Sequence, residues 1–503
     1  MKMNRREFVA FGAAFACAGR AFGASGGEPA LRVGVLSDIH VTKLENANWF
    51  EKALRKFDAE RVDAVLVSGD LITWGKRKEL EAVADTWRKV FPDDRRSDGA
   101  HVERLFVTGN HDVDGFAYAG AKFKSIEAAR ETGFFFHRDE MWRELFGEPY
   151  EPVKVKTLKG YSFVLRNWNS RLAQRYAQSP GDCPLAANVL PEEDQSPAFI
   201  AQVSASLPTD RPFFFVRHEP IPGTVVKGAL DATGEALAAF PNCIALSGHT
   251  HFSLTDEHSI WQGAFTAVNC SCARGYLFTY PGRENGFSVS DFNRDPPFEM
   301  PPLDIKRAKQ GMVMDVWPDF VAFRRFDIVN DVSLGDDWVV PLCGGGRTVP
   351  ASGKAKYTFA ARSERSRPPQ FGADAKVAVA ETDDGRRRNV RGTEADPAPC
   401  SQIVVSFPPA VSTDSSDRGF DYSVTAEMRT ADVKCVIGEK RVFSPGFCMS
   451  ESMDTEPVTC AFARGAVSKN RDVRFIVRPY NCWGKVGKPI FSEWTRFSKA
   501  KPA

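Results

Sequence analysis

The chain has 503 residues, more than one ordinary domain, which favours two domains plus an N-terminal extension. Hydrophobic residues make up 43% of the sequence, enough for packed cores, and 66 Lys and Arg nearly balance 64 Asp and Glu. A nucleic acid or an anionic membrane would select a basic excess, so the charge indicates neither partner. No apolar run in the sequence reaches the roughly 18 residues that span a bilayer as a helix.

The first 26 residues have the composition of an export signal. A basic start precedes an apolar stretch rich in Ala and Phe, and small residues follow between Ala21 and Gly26. Arg5 and Arg6, with Glu-Phe-Val after them, resemble the twin-arginine motif, which implies export of a folded protein to the periplasm or the extracellular space. An ordinary secretory signal or a disordered tail is the alternative. Removing this segment takes Cys17 away from eleven cysteines, and the remaining even number permits disulfides without establishing them.

From Leu31 onwards short apolar strands alternate with helical patterns. The strands LRVGVLSD, DAVLVSGD and ERLFVTGN are separated by the helical stretches NWFEKALRKFDAERV and KELEAVADTWRKVF. This alternation predicts a βαβ series with a largely parallel, buried sheet. The three strands end in Asp38, Asp70 and Asn110. An open α/β sheet places its functional site at such strand ends.

The next part of the chain adds more strands with polar ends. Residues 116–155 are aromatic and irregular, which predicts an insertion near the mouth of the site. Strands are then expected at YSFVLR, PFFFV and CIALS, and the last two run into His218 and into His249 and His251. Later strands between about residues 263 and 328 lie too close together for intervening helices, so we expect antiparallel additions to the sheets.

The C-terminal part changes character. Pro, Ser, Lys and Arg accumulate in residues 349–369, which predicts a linker, and short alternating runs after it predict a small all-β sandwich. The ending VRFIVRPYNCWGKVGKPIFSEW resembles the last strands of a fibronectin type III module. The expected organisation is a signal peptide (1–26), an α/β domain (30–348), a linker (349–369) and a fibronectin type III-like β-sandwich (370–500).

The polar strand ends together form a set of metal-ligand side chains. Two carboxylates, four imidazoles and one amide are collected there: Asp38, His40, Asp70, Asn110, His218, His249 and His251. Mn, Fe and Zn ions accept such oxygen and nitrogen donors, and no thiolate is present to form a tetrahedral structural site. Seven ligands suit two metals if one carboxylate bridges them. Two divalent cations, two aspartates and one hydroxide leave a net positive charge that attracts a phosphate ester.

In chain order, the blocks SDIH, SGD, GNHD, RHEP and GHTH resemble the motif set of the calcineurin-like metallophosphoesterases, particularly bacterial secreted members. The resemblance covers about residues 31–341. It implies an α/β sandwich of two mixed sheets flanked by helices, and hydrolysis of a small-molecule or polymeric phosphate ester by a metal-bridging hydroxide. It also implies two divalent ions, Mn, Fe or Zn. Phosphodiesters are slightly favoured, because no extra basic cluster near the blocks is visible to hold a dianion.

The family pattern also implies a role for each residue. It places four ligands around one metal (Asp38, His40, Asp70 and His251) and four around the other (Asp70, Asn110, His218 and His249), with Asp70 as the bridge. His111 is the expected proton donor to the leaving oxygen. Asp112 either orients His111 or shapes the loop, and Gly109 is expected to let the loop turn tightly.

Other residues are left open by the sequence. Trp74, Phe116, Tyr118 and Trp168 either line a substrate cleft or pack in the core. Cys270 and Cys272 are expected to be small core residues rather than ligands. The histidines outside the blocks, His101, His137 and His258, are expected to have surface or structural roles.

The sequence differs from the motifs of two subfamilies, which narrows the group of metallophosphoesterases that it resembles. The GD block continues as GDLITWG, without the VDRG of serine/threonine protein phosphatases, and Thr73 and Trp74 stand where purple acid phosphatases place an iron-binding tyrosine.

A second functional hypothesis is a surface or matrix-binding protein whose β-sandwich is the working part and whose metal site is structural.

Overall fold

A computed structural model describes residues 27–44, 47–119, 131, 133–134, 138–169, 195–274, 308–388, 398–412, 414, 417–431, 433–444, 446–450, 452, 454–467 and 471–497. The predicted export signal, His137 and residues 275–307, a part of the range in which later strands are expected, lie outside these residues. Within them, no helix combines the length and the apolar character needed to cross a membrane.

The first region is built from helices and short strands. Its strands are β1 (Leu31–Leu36), β2 (Ala64–Ser68), β3 (Glu103–Val107), β4 (Val153–Leu158), β5 (Tyr161–Arg166), β6 (Phe213–Val216), β7 (Cys243–Ser247), β8 (Ile260–Gln262), β9 (Thr266–Asn269), β10 (Gln310–Val316), β11 (Phe320–Asp327), β12 (Val332–Ser333) and β13 (Trp338–Pro341). Its helices are α1 (Asn48–Ala59), α2 (Arg77–Val90), α3 (Asn110–Val113), α4 (Gly115–Tyr118), α5 (Arg138–Phe146), α6 (Ser196–Val203), α7 (Ala232–Leu237) and α8 (Phe359–Arg365). Short 3-10 turns cover Pro92–Asp94, Ser204–Ser206 and Glu257–Ser259.

The first sheet has the strand order β12-β11-β10-β1-β2-β3, and β13 also pairs with β11. Strands β1, β2 and β3 are parallel, as the βαβ pattern predicts. Strands β10 and β11 add to it in antiparallel orientation, as expected for closely spaced strands.

The second sheet has the order β4-β5-β6-β7-β9-β8. Strands β5, β6, β7 and β9 are parallel, while β4 and β8 join the edges in antiparallel orientation. The expectation that β9 is an antiparallel addition is therefore wrong. Its crossover from β7 carries the GHTH loop, a 3-10 turn and β8 instead of an α-helix.

The two sheets face each other and are covered by helices on their outer faces. One apolar cluster lies between them and takes side chains from β1 to β3 and from β5 to β9. Helix α1 buries Phe50, Leu54 and Phe57, at the spacing of one helical face, against the outer face of the first sheet. Each such fully buried side chain contributes about 1.5–3 kcal/mol. The architecture is the mixed-sheet sandwich flanked by helices that the sequence predicts.

The C-terminal region consists of two small antiparallel sheets with a common apolar core. One sheet has the order β14-β15-β18 and the other β17-β16-β19-β20, with β21 pairing β19. The strands are β14 (Ala378–Arg388), β15 (Ala398–Phe407), β16 (Asp421–Arg429), β17 (Lys434–Phe443), β18 (Val458–Ala463), β19 (Asp472–Tyr480), β20 (Ile490–Phe491) and β21 (Thr495–Arg496), with helix α9 (Arg464–Val467) after β18.

The segment predicted as a linker packs against the first region. It contains helix α8, and the buried Tyr357 hydroxyl accepts a 2.7 Å hydrogen bond from the Val339 N–H. Gln262 Oε1 accepts the backbone N–H of Tyr357 at 2.9 Å. The boundaries of the domains stay a prediction.

Candidate metal centre

The carboxyl ends of the parallel strands bring all seven predicted ligands into one place. Asp38 and His40 follow β1, Asp70 follows β2, and Asn110 follows β3 at the start of α3. His218 follows β6, and the GHTH loop follows β7. Because these strands are parallel within each sheet, their carboxyl ends meet at one edge of the sandwich.

The first group of side chains surrounds Asp38 Oδ1. This oxygen lies 2.9 Å from His251 Nε2 and 3.8 Å from His40 Nε2. His40 Nε2 is in turn 3.4 Å from His251 Nε2 and 3.7 Å from Asp70 Oδ2. Asp38, His40, Asp70 and His251 are all buried, and their ligand atoms lie within 4.8 Å of one another.

The second group shares the same Asp70 oxygen. His218 Nε2 lies 3.2 Å from Asp70 Oδ2 and 3.0 Å from Asn110 Oδ1. Asn110 Oδ1 is 2.9 Å from His249 Nδ1. Asp70 Oδ2 therefore lies between the two groups, which is the position of a bridging ligand.

Each carboxylate is held by one oxygen and presents the other to the site. Asp38 Oδ2 accepts hydrogen bonds from Ser37 Oγ at 2.5 Å and from the His249 N–H at 3.0 Å. Asp70 Oδ1 accepts the His111 N–H at 2.8 Å. Asp38 Oδ1 is buried, and the imidazole nitrogens of His251 and His40 lie nearest to it. A buried carboxylate oxygen among imidazole nitrogens fits a shared cation, and the oxygen and nitrogen donors suit Mn, Fe or Zn.

The backbone at the site adopts an unusual conformation. Five of the seven predicted ligands have a positive φ: Asp38 (50°), His40 (43°), Asp70 (51°), His249 (69°) and His251 (52°). Non-glycine residues rarely occupy this left-handed region, at a cost on the order of 1–3 kcal/mol each, and such residues cluster at functional sites. The loops therefore aim side chains into the centre at the expense of backbone strain.

Positions 109 and 248 require glycine because neighbouring atoms leave no room for a Cβ. A Cβ at Gly109 would lie 2.2 Å from Asp70 Oδ1, and one at Gly248 would lie 1.8 Å from Ser37 Oγ. The expectation that Gly109 serves a tight turn is wrong, because its φ is −113°, which any residue adopts. The missing side chain instead makes room for the Asp70 carboxylate.

Charge and burial set the protonation of the four imidazoles. Burial lowers the pKa of His40 to about 3 and that of His249 to about 4. Burial also opposes the charged form of His218, but the Asp70 and Asp38 carboxylates raise its pKa to about 9. The pKa of His251 is likewise raised, against burial, by Cys272 and Asp38. Cation binding at His218 and His251 therefore requires two protons to leave.

His111 lies beside the two groups, with one ring nitrogen occupied. Its Nδ1 donates to the Thr73 carbonyl oxygen at 2.8 Å, which leaves Nε2 available. Its ring stacks on Tyr118, with 4.4 Å between centroids and 16° between planes. The Tyr118 hydroxyl also accepts a 2.9 Å hydrogen bond from Asn110 Nδ2, so the amide turns its oxygen towards the histidines.

Asp112 shapes the loops around the site. Its carboxylate accepts the backbone N–H groups of Gly109 (2.7 Å), Ile72 (2.8 Å) and Leu71 (3.2 Å). Burial and the nearby Asp70 raise the pKa of Asp112 to about 8, while the backbone bonds act in the opposite direction. These contacts tie the GNHD loop to the GD loop, and the orientation of His111 comes from Thr73 and Tyr118.

Other aromatic and thiol groups complete the surroundings. Trp168 is buried with its ring 5.8 Å from that of His249, and its Nε1 donates to Asp114 Oδ2 at 2.9 Å. Trp74 is 38% exposed. Cys272 is a core residue, as expected, but its Sγ also donates to the Asp38 carbonyl oxygen at 3.3 Å. No local sequence signal marks Cys272 or the Thr73 carbonyl as neighbours of the site, because both act through contacts made by the fold.

The comparison with known families decides the class of the first region. The model of the calcineurin-like phosphoesterase family matches residues 31–253, the range that contains all seven predicted ligands and His111. The chain contains a calcineurin-like phosphoesterase domain. Its candidate metal site is thus the site at the strand ends of a phosphoesterase domain.

Solved structures with low sequence identity also match this chain. A dimetal phosphatase from Danio rerio is 14% identical over 62% of this chain and 99% of its own, with a TM-score of 0.33. The phosphoesterase Yfce from E. coli is 11% identical over 61% and 98%, with a TM-score of 0.24. GAP50 of Plasmodium, an anchor in the inner membrane complex, is 13% identical over 66% and 94%, with a TM-score of 0.32. No curated protein matches the chain.

Proposed function

We propose that the chain is an exported dinuclear-metal phosphohydrolase that cleaves phosphate esters. The observation that carries the proposal is the pair of ligand groups that share Asp70 Oδ2 inside the phosphoesterase domain. Two cations at these groups would be bound by Asp38, His40, Asp70, Asn110, His218, His249 and His251. When bound, two divalent ions such as Mn, Fe or Zn supply Lewis acidity and a nucleophilic water at neutral pH.

His111 gives its Nε2 proton to the leaving oxygen. The Thr73 carbonyl binds Nδ1–H in both protonation states of the ring, so Nε2 is the nitrogen that gains and loses the proton. The Tyr118 ring fixes the plane of the imidazole and therefore the direction of that proton. Asp112 contributes by fixing the loop that carries His111.

A preference for phosphodiesters is supported by the arginines next to the motifs. The buried Arg217 guanidinium donates to the Glu219 and Pro220 carbonyls and to Asp231. Arg274 Nη1 donates to the His40 carbonyl and to Thr73 Oγ1. Arg217 Nε and Nη2 and Arg274 Nη1 are thus engaged by the protein, whereas a monoester dianion would benefit from cationic groups that face the substrate.

Two further parts of the proposal rest on sequence. Export follows from the twin-arginine-like composition of residues 1–26. The fibronectin type III assignment follows from the C-terminal strand pattern, and the two antiparallel sheets with a common core are compatible with it.

The test is the Asp70→Asn variant of the purified protein. It should lose bound metal, measured by elemental analysis, together with hydrolysis of bis-p-nitrophenyl phosphate, because both groups depend on this carboxylate. Asp85→Asn, at an exposed position on α2, is the matched control and should keep both. Full hydrolysis by D70N would remove Asp70 from the bridging role.

The alternative of a surface or matrix-binding protein predicts a different result. The wild-type protein would then bind metal but hydrolyse none of a panel of monoesters, diesters, nucleotides, phospholipids and sugar phosphates, run with Mn, Fe and Zn. The same panel identifies the substrate class if the protein is an enzyme.

A further inference from the structure

A second cluster of metal-ligand side chains lies where the C-terminal sheets meet the phosphoesterase domain. Asp256, His258 and Cys482 each offer a ligand atom within 4.8 Å of the other two. Their exposures are 1%, 3% and 2%. We propose that these three side chains bind one zinc-type divalent cation, which joins the two regions of the chain as a structural site.

The donor set differs from that of the phosphoesterase site. Thiolate, imidazole and carboxylate are the ligands of zinc in proteins, and a thiolate selects soft or borderline cations such as Zn²⁺ or Co²⁺. The seven ligands of the phosphoesterase site include no cysteine. The two sites are therefore chemically distinguishable, and this inference does not depend on phosphate ester hydrolysis.

The geometry of the Asp256–His258 pair supports a ligand role. Asp256 Oδ1 lies 2.8 Å from His258 Nδ1, close to the 2.9 Å between Asp38 Oδ1 and His251 Nε2 in the phosphoesterase site. The same oxygen accepts the His258 N–H at 3.0 Å, which fixes the carboxylate next to the ring. Cys482 approaches from the loop after β19, so the third donor comes from the C-terminal region.

Two arginines pair with Glu257, which lies between Asp256 and His258 in the sequence. The guanidinium of Arg325 lies 3.0 Å from Glu257 Oε1, and Arg362 pairs with Glu257 Oε2. The charge of Arg362 also interacts with Cys482.

The surroundings of the cluster are apolar. The Trp483 ring packs on His258 with 3.9 Å between centroids, and the Phe359 ring follows at 5.2 Å. Cys482 belongs to an apolar cluster that spans both regions: Cys272, Ala308, Phe420, Phe443, Phe447 and Cys448. In such apolar surroundings a bound cation would interact strongly with the three donors.

Absorption spectroscopy of the Co²⁺-loaded full-length protein tests the proposal. A thiolate bound to Co²⁺ gives a charge-transfer band in the near ultraviolet, and the seven ligands of the phosphoesterase site give none. We expect the band in the wild type, in Asp70→Asn and in Cys435→Ser, whose exposed thiol lies far from the cluster in sequence. Cys482→Ser should lose the band and bind one cation fewer per chain.

Three outcomes would overturn the proposal. The first is that the wild type shows no thiolate band, and the second is that the band survives in C482S. The third is that the band disappears only in Cys272→Ser, a substitution beside the phosphoesterase site. Circular dichroism reports whether C482S folds. If C482S does not fold, the His258→Gln variant, which keeps the thiol, tests the site instead. The cobalt concentration for half-saturation of its band should rise at least about tenfold. An unchanged titration of H258Q contradicts the site.

Discussion

His111 is fixed by three contacts, two from the GD loop and one from α4. Its backbone N–H is bound to Asp70 Oδ1, its Nδ1 to the Thr73 carbonyl, and its ring lies against Tyr118. A general acid needs a defined direction for its proton, and these contacts leave Nε2 as the nitrogen with that freedom. The metal groups do not use this nitrogen.

We expect His111→Gln to lower kcat by about 10²–10⁴-fold with little change in bound metal, because only proton transfer is removed. The loss should be largest for alkyl esters, whose leaving oxygen needs a proton, and smaller for p-nitrophenyl esters. Parallel kinetics on both ester types measure this. His101→Gln, at a histidine next to Glu103 on the surface, is the control. Equal losses on both ester types would contradict the proton-donor role.

Tyr118 connects the predicted proton donor to a predicted metal ligand. We expect Tyr118→Phe to remove the hydrogen bond to Asn110 Nδ2 while keeping the ring stack on His111. Outer hydrogen bonds of this kind change metal affinity about 10–100-fold, so the metal titration should shift while kcat at saturating metal stays near the wild-type value. Tyr118→Ala should lower both the metal affinity and kcat. The control variant Tyr161→Phe should change neither. A wild-type metal titration for Y118F would show that Asn110 is oriented without Tyr118.

For individual residues, the sequence predicts a role where the residue belongs to a local motif. Asp38, Asp70 and the GHTH histidines are recognisable because strand ends and ligand types coincide in the sequence. The sequence leaves the role of Tyr118 open, since its contacts to Asn110 and His111 depend on how α3 and α4 fold back. The Thr73 carbonyl is a backbone group, and no side-chain pattern marks it.

At the scale of elements, the strands and the two long helices follow from hydrophobic period alone. The parallel pairing of β9 with β7 does not, because a parallel crossover usually contains a helix and this one does not. The crossover is occupied by the GHTH loop, whose left-handed backbone at His249 and His251 serves the site. A functional loop therefore occupies the place of the helix from which the parallel pairing of β7 and β9 could have been predicted.

The strand-end loops also set a pH dependence for metal binding. The carboxylates raise the pKa of His218 to about 9 and that of His251 above its usual value. Both imidazoles must lose a proton to bind a cation, so apparent affinity should rise as pH increases towards about 9, by up to about tenfold per pH unit for each proton released.

Calorimetric titration with Mn²⁺ in buffers of different ionisation enthalpy counts the released protons. Asp38→Asn removes a carboxylate that raises both pKa values, and it should reduce proton release as well as affinity. A metal affinity that is constant between pH 6 and pH 8, or no proton release, would contradict this charge balance.

At the scale of the whole molecule, Gln310 links the two regions. The buried side chain donates through Nε2 to the Cys448 carbonyl at 2.7 Å, and its Oε1 accepts the Leu254 N–H at 2.6 Å. Ser271 Oγ also donates to Oε1 at 2.8 Å. One side chain thus joins β10, the segment after GHTH, the loop after β9 and the C-terminal sheets.

Gln310→Met fills a similar volume but removes these bonds. Each buried group left unpaired costs about 1–3 kcal/mol, so the thermal midpoint should fall by several degrees. Gln262→Met is the control, because Gln262 is also buried but bonds Thr348 and Tyr357 outside the C-terminal sheets. Both variants should be less stable, whereas only Q310M should speed hydrogen exchange around residues 443–448. Equal exchange there in the two variants would mean that the apolar cluster alone holds the C-terminal sheets in place.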